Sequence, residues 1–394
     1  MSREKSVHRR TVLRAAAGTG VLLTLSPGLL LTGCDGGVKA VESETLGLDS
    51  DEYDVELNLH AMPDSVPILP GAPSEVWRYR AELLKGPENT VTENPDSYLG
   101  PTIRLRRGQT VKIHIHNELP EDTTVHWHGV RTPHAMDGVP DLTQKPIAPG
   151  ETFLYEFDAV DAGTFWYHPH CNTLEQIARG MTGGIVVEDE EDAGFDSDLP
   201  LNIRDFRLGG DGQFIAFYKP RNAARGGTLG TVSTVNWQPQ PVYELAAGSL
   251  VRLRLAVTDL TRVGRYTVSG AEALVIAIDS NPLPQPVAMD EIVLAPGQRA
   301  DVALRVPDSE DEVATLVLKK PNGDKVLATF QPKGASAGRD LRELKPLKPN
   351  PVPQADLANA EVLDFVFGWS PGGDAPQASI CGSLGYTFWS INRV

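Results

Sequence analysis

Two histidine pairs constrain this chain more than any other feature. His126-Trp127-His128 and His168-Pro169-His170 each stand in a run rich in aromatic residues, and such runs read as β-strands. Residues i and i+2 of a strand share one face, so each pair projects two imidazoles side by side, about 6.6 Å apart. Neutral imidazole is a common ligand of copper, zinc and iron, and two facing pairs supply four nitrogens. Chance pairing on a polar strand face is the plain alternative for one such pair. Two pairs within one segment, in a chain with nine histidines, point to a metal.

The surrounding chain reads as all-β. Short runs at 55–59, 74–83, 102–105, 111–116, 123–127, 152–157, 163–167 and 184–187 are separated by Gly, Pro and Asp, a pattern that predicts a β-sandwich over residues 51–192. A second set at 201–206, 251–255, 275–279 and 292–302 predicts another over 196–331. Residues 332–360, rich in Pro, Lys, Gly and Leu without periodicity, read as a linker. Within it Gly334-Ala335-Ser336-Ala337-Gly338 matches a nucleophile elbow, but that elbow needs a downstream His base and none follows His170.

Taken in order, His126-Trp127-His128-Gly129, Asp137-Gly138-Val139-Pro140, Thr143-Gln144, Pro146-Ile147, Pro149-Gly150, Gly163-Thr164-Phe165-Trp166-Tyr167-His168-Pro169-His170 and Gly180-Met181 resemble the first domain of multicopper oxidases, the laccase, bilirubin oxidase and cuprous oxidase group. The resemblance implies tandem cupredoxin-like Greek-key β-sandwiches, two complete and the start of a third over 361–394. It also implies one half of a trinuclear copper cluster, with His126 on the type 2 copper and His128, His168 and His170 on the type 3 pair. Asp137 falls where the family keeps an acid that helps deliver protons during O2 reduction; Asp-Gly is equally a turn signal, and the two roles are compatible. The second domain of the family usually binds no copper, and residues 196–331 contain no histidine.

Three further features bear on ligands. His114 and His116 form a third His-x-His, but they precede Asn117-Glu118-Leu119 where the family has an ordinary strand, so they read as strand residues. His134 reads as a solvated loop residue. Of the three cysteines, Cys171 follows His170 and would point away from the ligands in an ideal strand, which favours a structural thiol; pairing with Cys381 is open.

At the N-terminus Arg9-Arg10, an interrupted apolar stretch and Leu31-Thr32-Gly33-Cys34 read as a Tat-type lipoprotein signal over 1–33. A flexible tether over 34–50 follows. The expected location is periplasmic or cell-surface, with membrane contact only through a lipid on Cys34. The net charge of −16 disfavours nucleic-acid partners.

The resemblance has a gap. The type 1 copper motifs and the other cluster ligands of the family, His-Pro-x-His-x-His-Gly and His-Cys-His, do not occur, which predicts a truncated chain with little or no oxidase activity. The parent activity implied is one-electron oxidation of a small reductant, whether phenol, tetrapyrrole or metal ion, coupled to four-electron reduction of O2 to water. The alternative is an envelope copper-binding or scaffold protein. A two-domain copper oxidase or nitrite reductase fits less well, because NTLEQIARG after His170-Cys171 lacks the second His. With five methionines there is no Met-rich insertion, which weighs against a dedicated cuprous oxidase.

Overall fold

The computed structural model describes residues 53–369, apart from 95, 224 and 321, together with residues 389–391. The signal, the tether, Cys34, Cys381 and most of the segment expected to open a third sandwich lie outside the described residues.

The first sandwich is built from β1 (Val55–Leu69), β2 (Ala72–Lys85), β3 (Val91–Thr92), β4 (Gly100–Arg106), β5 (Thr110–Asn117), β6 (His126–His128), β7 (Thr152–Asp158), β8 (Gly163–His168) and β9 (Gly183–Glu188), with the short helix α1 (Thr173–Arg179) between β8 and β9. One sheet has the order β2-β1-β5-β7 and the other β3-β4-β9-β8-β6. Alternation explains the layering. In β5 Val111, Ile113 and Ile115 are buried while Lys112, His114 and His116 face outward, and each such aliphatic burial is worth about 1.5–3 kcal/mol. His114 and His116 are therefore held on the outer face, where His114 pairs with Glu56 and His116 bonds to Asn58.

The second sandwich comprises β10 (Ser197–Phe206), β11 (Val232–Val235), β12 (Val242–Ala246), β13 (Leu250–Val257), β14 (Gly264–Ser269), β15 (Ala273–Ile278), β16 (Asn281–Ala288), β17 (Ile292–Leu294), β18 (Arg299–Arg305), β19 (Ala314–Leu318) and β20 (Lys325–Lys333). Its sheets run β11-β10-β13-β18-β15-β16 and β12-β20-β19-β14-β17. The Pro-rich β16 sits at a sheet edge, where missing N–H donors cost no ladder bonds.

Three elements differ from the sequence reading. β1 runs to Leu69 rather than stopping near 59. Past Ala61 it leaves β5 and continues with β2 alone, so Pro63 and Pro67 are tolerated on a free edge. This far end buries Val66, Ile68 and Val76 against Phe206, Leu208 and Trp237 of the second sandwich. The run 292–302 is two strands in different sheets, joined by a turn at 295–298 where the chain crosses between layers. Lastly, the stretch read as a linker is docked. Leu341 is buried beside Leu250, Ile276 and Ala303, and Asn350 bonds to Ala162 of the first sandwich and Ser280 of the second. Beyond it, β21 (Phe367–Trp369) and β22 (Trp389–Ile391) form an antiparallel pair.

Candidate metal centre

β6 and β8 are antiparallel neighbours with His126 opposite His168 and His128 opposite Trp166. Trp127, between the first two histidines, points the other way into the core, as do Phe165 and Tyr167 of β8. That alternation fixes the shared face of both strands as the face carrying histidine. His170 reaches the same place by a different route: the strand stops at His168, and His170 stands in the bend leading to α1. Its backbone N–H bonds to Thr124 Oγ1 at 3.3 Å, and its carbonyl accepts from Thr173 Oγ1 at 2.9 Å. The second His-x-His is thus half strand and half turn.

All four imidazoles converge. Ring centroids of His126 lie 5.6, 5.3 and 4.8 Å from those of His128, His168 and His170. Ligand nitrogens of His126, His168 and His170 all fall within 4.8 Å of one another, the one such grouping of three or more metal-binding side chains among the described residues. His128 joins through His168, its Nδ1 lying 3.2 Å from His168 Nε2. His168 is common to both groupings. The structure brings together the four predicted ligands and leaves His60, His114, His116, His134 and Cys171 out of the group.

Hydrogen bonds orient the donors. His126 Nδ1 donates to the backbone carbonyl of Asp137 at 2.8 Å, and the Asp137 carboxylate stands 3.3 Å from the same nitrogen. His168 Nδ1 donates to the Pro169 carbonyl at 2.9 Å. Each bond fixes the tautomer and leaves Nε2 as a lone pair on the cluster side, the arrangement that metal-binding histidines use. Burial keeps rings neutral. His128 is depressed to about 3, by burial first and then by Arg299 and the neighbouring histidines. Burial lowers His168 and His170 as well.

The donor set fits a first-row transition metal. Imidazole nitrogens 3.2 Å apart match the spacing of two donors that share one ion at about 2 Å each. All-nitrogen ligation with neutral donors suits copper, whereas Mg2+ and Ca2+ need oxygen. Asp137 caps the short turn His134–Met136. The tight turn after it requires Gly138 at φ 78°, where a β-carbon would overlap the Val125 carbonyl.

Three residues that bear on the site were not among those predicted for it. Trp166 stacks on His128 and on His168, with centroids at 4.8 and 4.3 Å. Gly297 and Arg299 reach the cluster from the second sandwich. Trp166 was legible, since it stands two residues before His168 on the same strand face; the other two depend on a fold between distant segments.

Comparisons with known proteins show what the chain is similar to. A family model described as multicopper oxidase matches residues 75–192. The crystal structure of a multi-copper oxidase from Pseudomonas thermotolerans aligns with a TM-score of 0.70 at 38% identity, covering 79% of this chain and 71% of that one. "Multicopper oxidase mco" of Staphylococcus aureus is 29% identical over 66% of this chain and 58% of its own length. "Laccase-3" of Botryotinia fuckeliana is 33% identical over 52% of this chain and 47% of its own. The chain thus spans about half the length of these two curated relatives.

Proposed function

The chain belongs to the multicopper oxidase family, and we propose that it supplies one half of the copper site of a laccase-like oxidoreductase, in which a small reductant is oxidised and O2 is reduced. The observation that carries this reading is the convergence of His126, His128, His168 and His170, with the Nδ1 atoms of His126 and His168 committed to backbone carbonyls. Copper bound there would supply one-electron chemistry with O2 as the acceptor.

The chain's own residues do the rest. His126 and His168 present Nε2 because their Nδ1 protons are committed to carbonyls. Burial keeps His128 and His168 unprotonated well below neutral pH and lowers His170 as well, so metal need not compete with protons at these rings near neutral pH. The Asp137 carboxylate, with 38% of its side-chain surface exposed and one oxygen 3.3 Å from His126 Nδ1, sits between solvent and the cluster. There it can hand protons inward through Oδ1. The reductant is a phenol, a tetrapyrrole or a metal ion. For location, Arg9-Arg10 and Leu31-Thr32-Gly33-Cys34 support Tat export and a lipid on Cys34.

These 394 residues hold no histidine after His170, so we propose that by themselves they bind copper with little O2 turnover. The test is a Cu(II) titration of the purified chain and of a His126→Ala/His168→Ala variant, alongside O2 uptake with a phenolic reductant. Saturable binding by the unmodified chain that the variant loses is expected. Equal uptake by both would defeat the copper reading in favour of a scaffold, and sustained O2 uptake by the pure chain would defeat the claim of low turnover.

A further inference from the structure

One face of β8 runs from the boundary between the sandwiches to the histidine cluster, carrying Thr164, Trp166 and His168 in turn. Thr164 is gripped from the second sandwich on every polar atom it offers there. Its hydroxyl donates to Asp301 Oδ1 at 2.5 Å and accepts from Arg254 Nη1 at 3.0 Å. Its carbonyl accepts from Ser280 Oγ at 2.7 Å and Arg299 Nε at 3.1 Å. Two residues on, Trp166 Nε1 donates to the Gly297 carbonyl at 3.4 Å, and Arg299 Nη1 holds that same carbonyl at 3.1 Å. The Trp166 ring stacks on both His128 and His168, at interplanar angles of 27° and 29°. Gly297 itself lies against the far edge of His128: a β-carbon there would stand 2.8 Å from His128 Cε1.

We propose that the second sandwich, which contributes no ligand, sets the geometry of the histidine cluster, with Trp166 and Gly297 as its positioning residues. The indole is the transmitting part. One edge is tied to the turn at 295–298, which lies at the crossing between the two sheets of the second sandwich, and its face holds two imidazoles in their rotamers. Gly297 lies against the Cε1–Nε2 edge of His128, so this ring has an indole on its face and, at that edge, a backbone position where a β-carbon would be crowded. Arg299 fixes that backbone and Thr164 together, so the indole and the glycine cannot shift independently.

The inference rests on the reading that the four histidines bind copper, and the test separates the two. Trp166→Leu, Trp166→Phe and Gly297→Ala are compared with the unmodified chain and with Leu253→Ala, a core truncation in the second sandwich that leaves this face untouched. Two readouts are used: Cu(II) affinity with the electron paramagnetic resonance spectrum of the bound ion, and, in metal-free protein, the imidazole nitrogen resonances. Trp166→Leu and Gly297→Ala should weaken Cu(II) binding by about tenfold or more, the usual scale for residues that orient ligands, and should change the spectrum. Trp166→Phe keeps a stacked ring without the N–H bond and should fall between. Leu253→Ala should lower thermal stability and leave copper affinity within a few-fold.

In the metal-free arm the His128 and His168 resonances should shift while those of His60 and His114 stay. An unmodified chain that binds no copper would overturn the copper reading, and the metal-free arm would still decide this one. Folded Trp166→Leu or Gly297→Ala protein with unchanged affinity, spectrum and ring resonances would overturn the positioning role. If Trp166→Leu does not fold, Trp166→Phe and Gly297→Ala carry the test.

Discussion

His128 Nδ1 lies 3.2 Å from His168 Nε2, so two residues that share one metal face also share one hydrogen bond in its absence. Because His168 Nδ1 donates to the Pro169 carbonyl, its Nε2 is the acceptor and His128 supplies the proton. A metal at that nitrogen would require the proton to move to Nε2 of the same ring, which ties copper uptake to a change of tautomer at His128 with no net proton release.

The buried neutral rings predict how metal-free stability depends on pH. An unfolded imidazole titrates near 6.5, whereas folded His128 is depressed to about 3. Between those values the unfolded state binds a proton that the folded state refuses, so stability falls as pH falls, by about 1.4 kcal/mol per pH unit for a group of this kind. Above 6.5 this group has no effect. Urea midpoints of metal-free protein should be flat from pH 8 to 7 and decline below 6.5, with a shallower decline in His128→Gln. Parallel curves for the two proteins would show that His128 is protonated in the fold.

Asp137 predicts a split between binding and turnover. Its backbone carbonyl, not its carboxylate, makes the shorter contact with His126 Nδ1, at 2.8 against 3.3 Å. Asp137→Asn therefore keeps the bond that orients the ring. In the complete copper-loaded oxidase it should leave Cu(II) affinity within about threefold of the parent while lowering kcat for O2 reduction by about tenfold or more, on the scale of a lost proton carrier. Equal losses of affinity and kcat would make Asp137 a structural residue.

Gly138→Ala tests the turn behind the site. The residue holds φ 78° with its α-carbon against the Val125 carbonyl. Because an added β-carbon meets rigid backbone as well as an unfavourable dihedral, the expected cost is about 3 kcal/mol. A thermal melt checks it. A shift of under a degree would mean that the turn relaxes freely and that Asp137 is less firmly placed than its contacts suggest.

Much of the site was legible because it is local. Strand alternation alone puts His126 with His128 and turns Trp127 inward, and the same rule turns His114 and His116 to the outer face of β5. What the sequence hid depends on distant partners. Nothing in Ala295-Pro296-Gly297-Gln298 says that Gly297 will lie against His128, because the two are brought together by packing between sandwiches. The run read at 55–59 continues through Pro63 and Pro67 to Leu69 because β1 becomes an edge where β5 ends. Asn350 looked like part of a loose connection, yet its single amide side chain answers groups in both sandwiches.

The overhang of β1 and β2 carries a thermodynamic consequence. Val66, Ile68 and Val76 lie in one cluster with Phe206, Leu208 and Trp237, so opening either sandwich exposes apolar surface belonging to the other. Two sandwiches joined only by a tether would melt as two separate heat-absorption peaks, each with the enthalpy of its own half. Here a cluster of apolar side chains drawn from both sandwiches joins them, and their denaturation should appear as a single heat-absorption peak in scanning calorimetry.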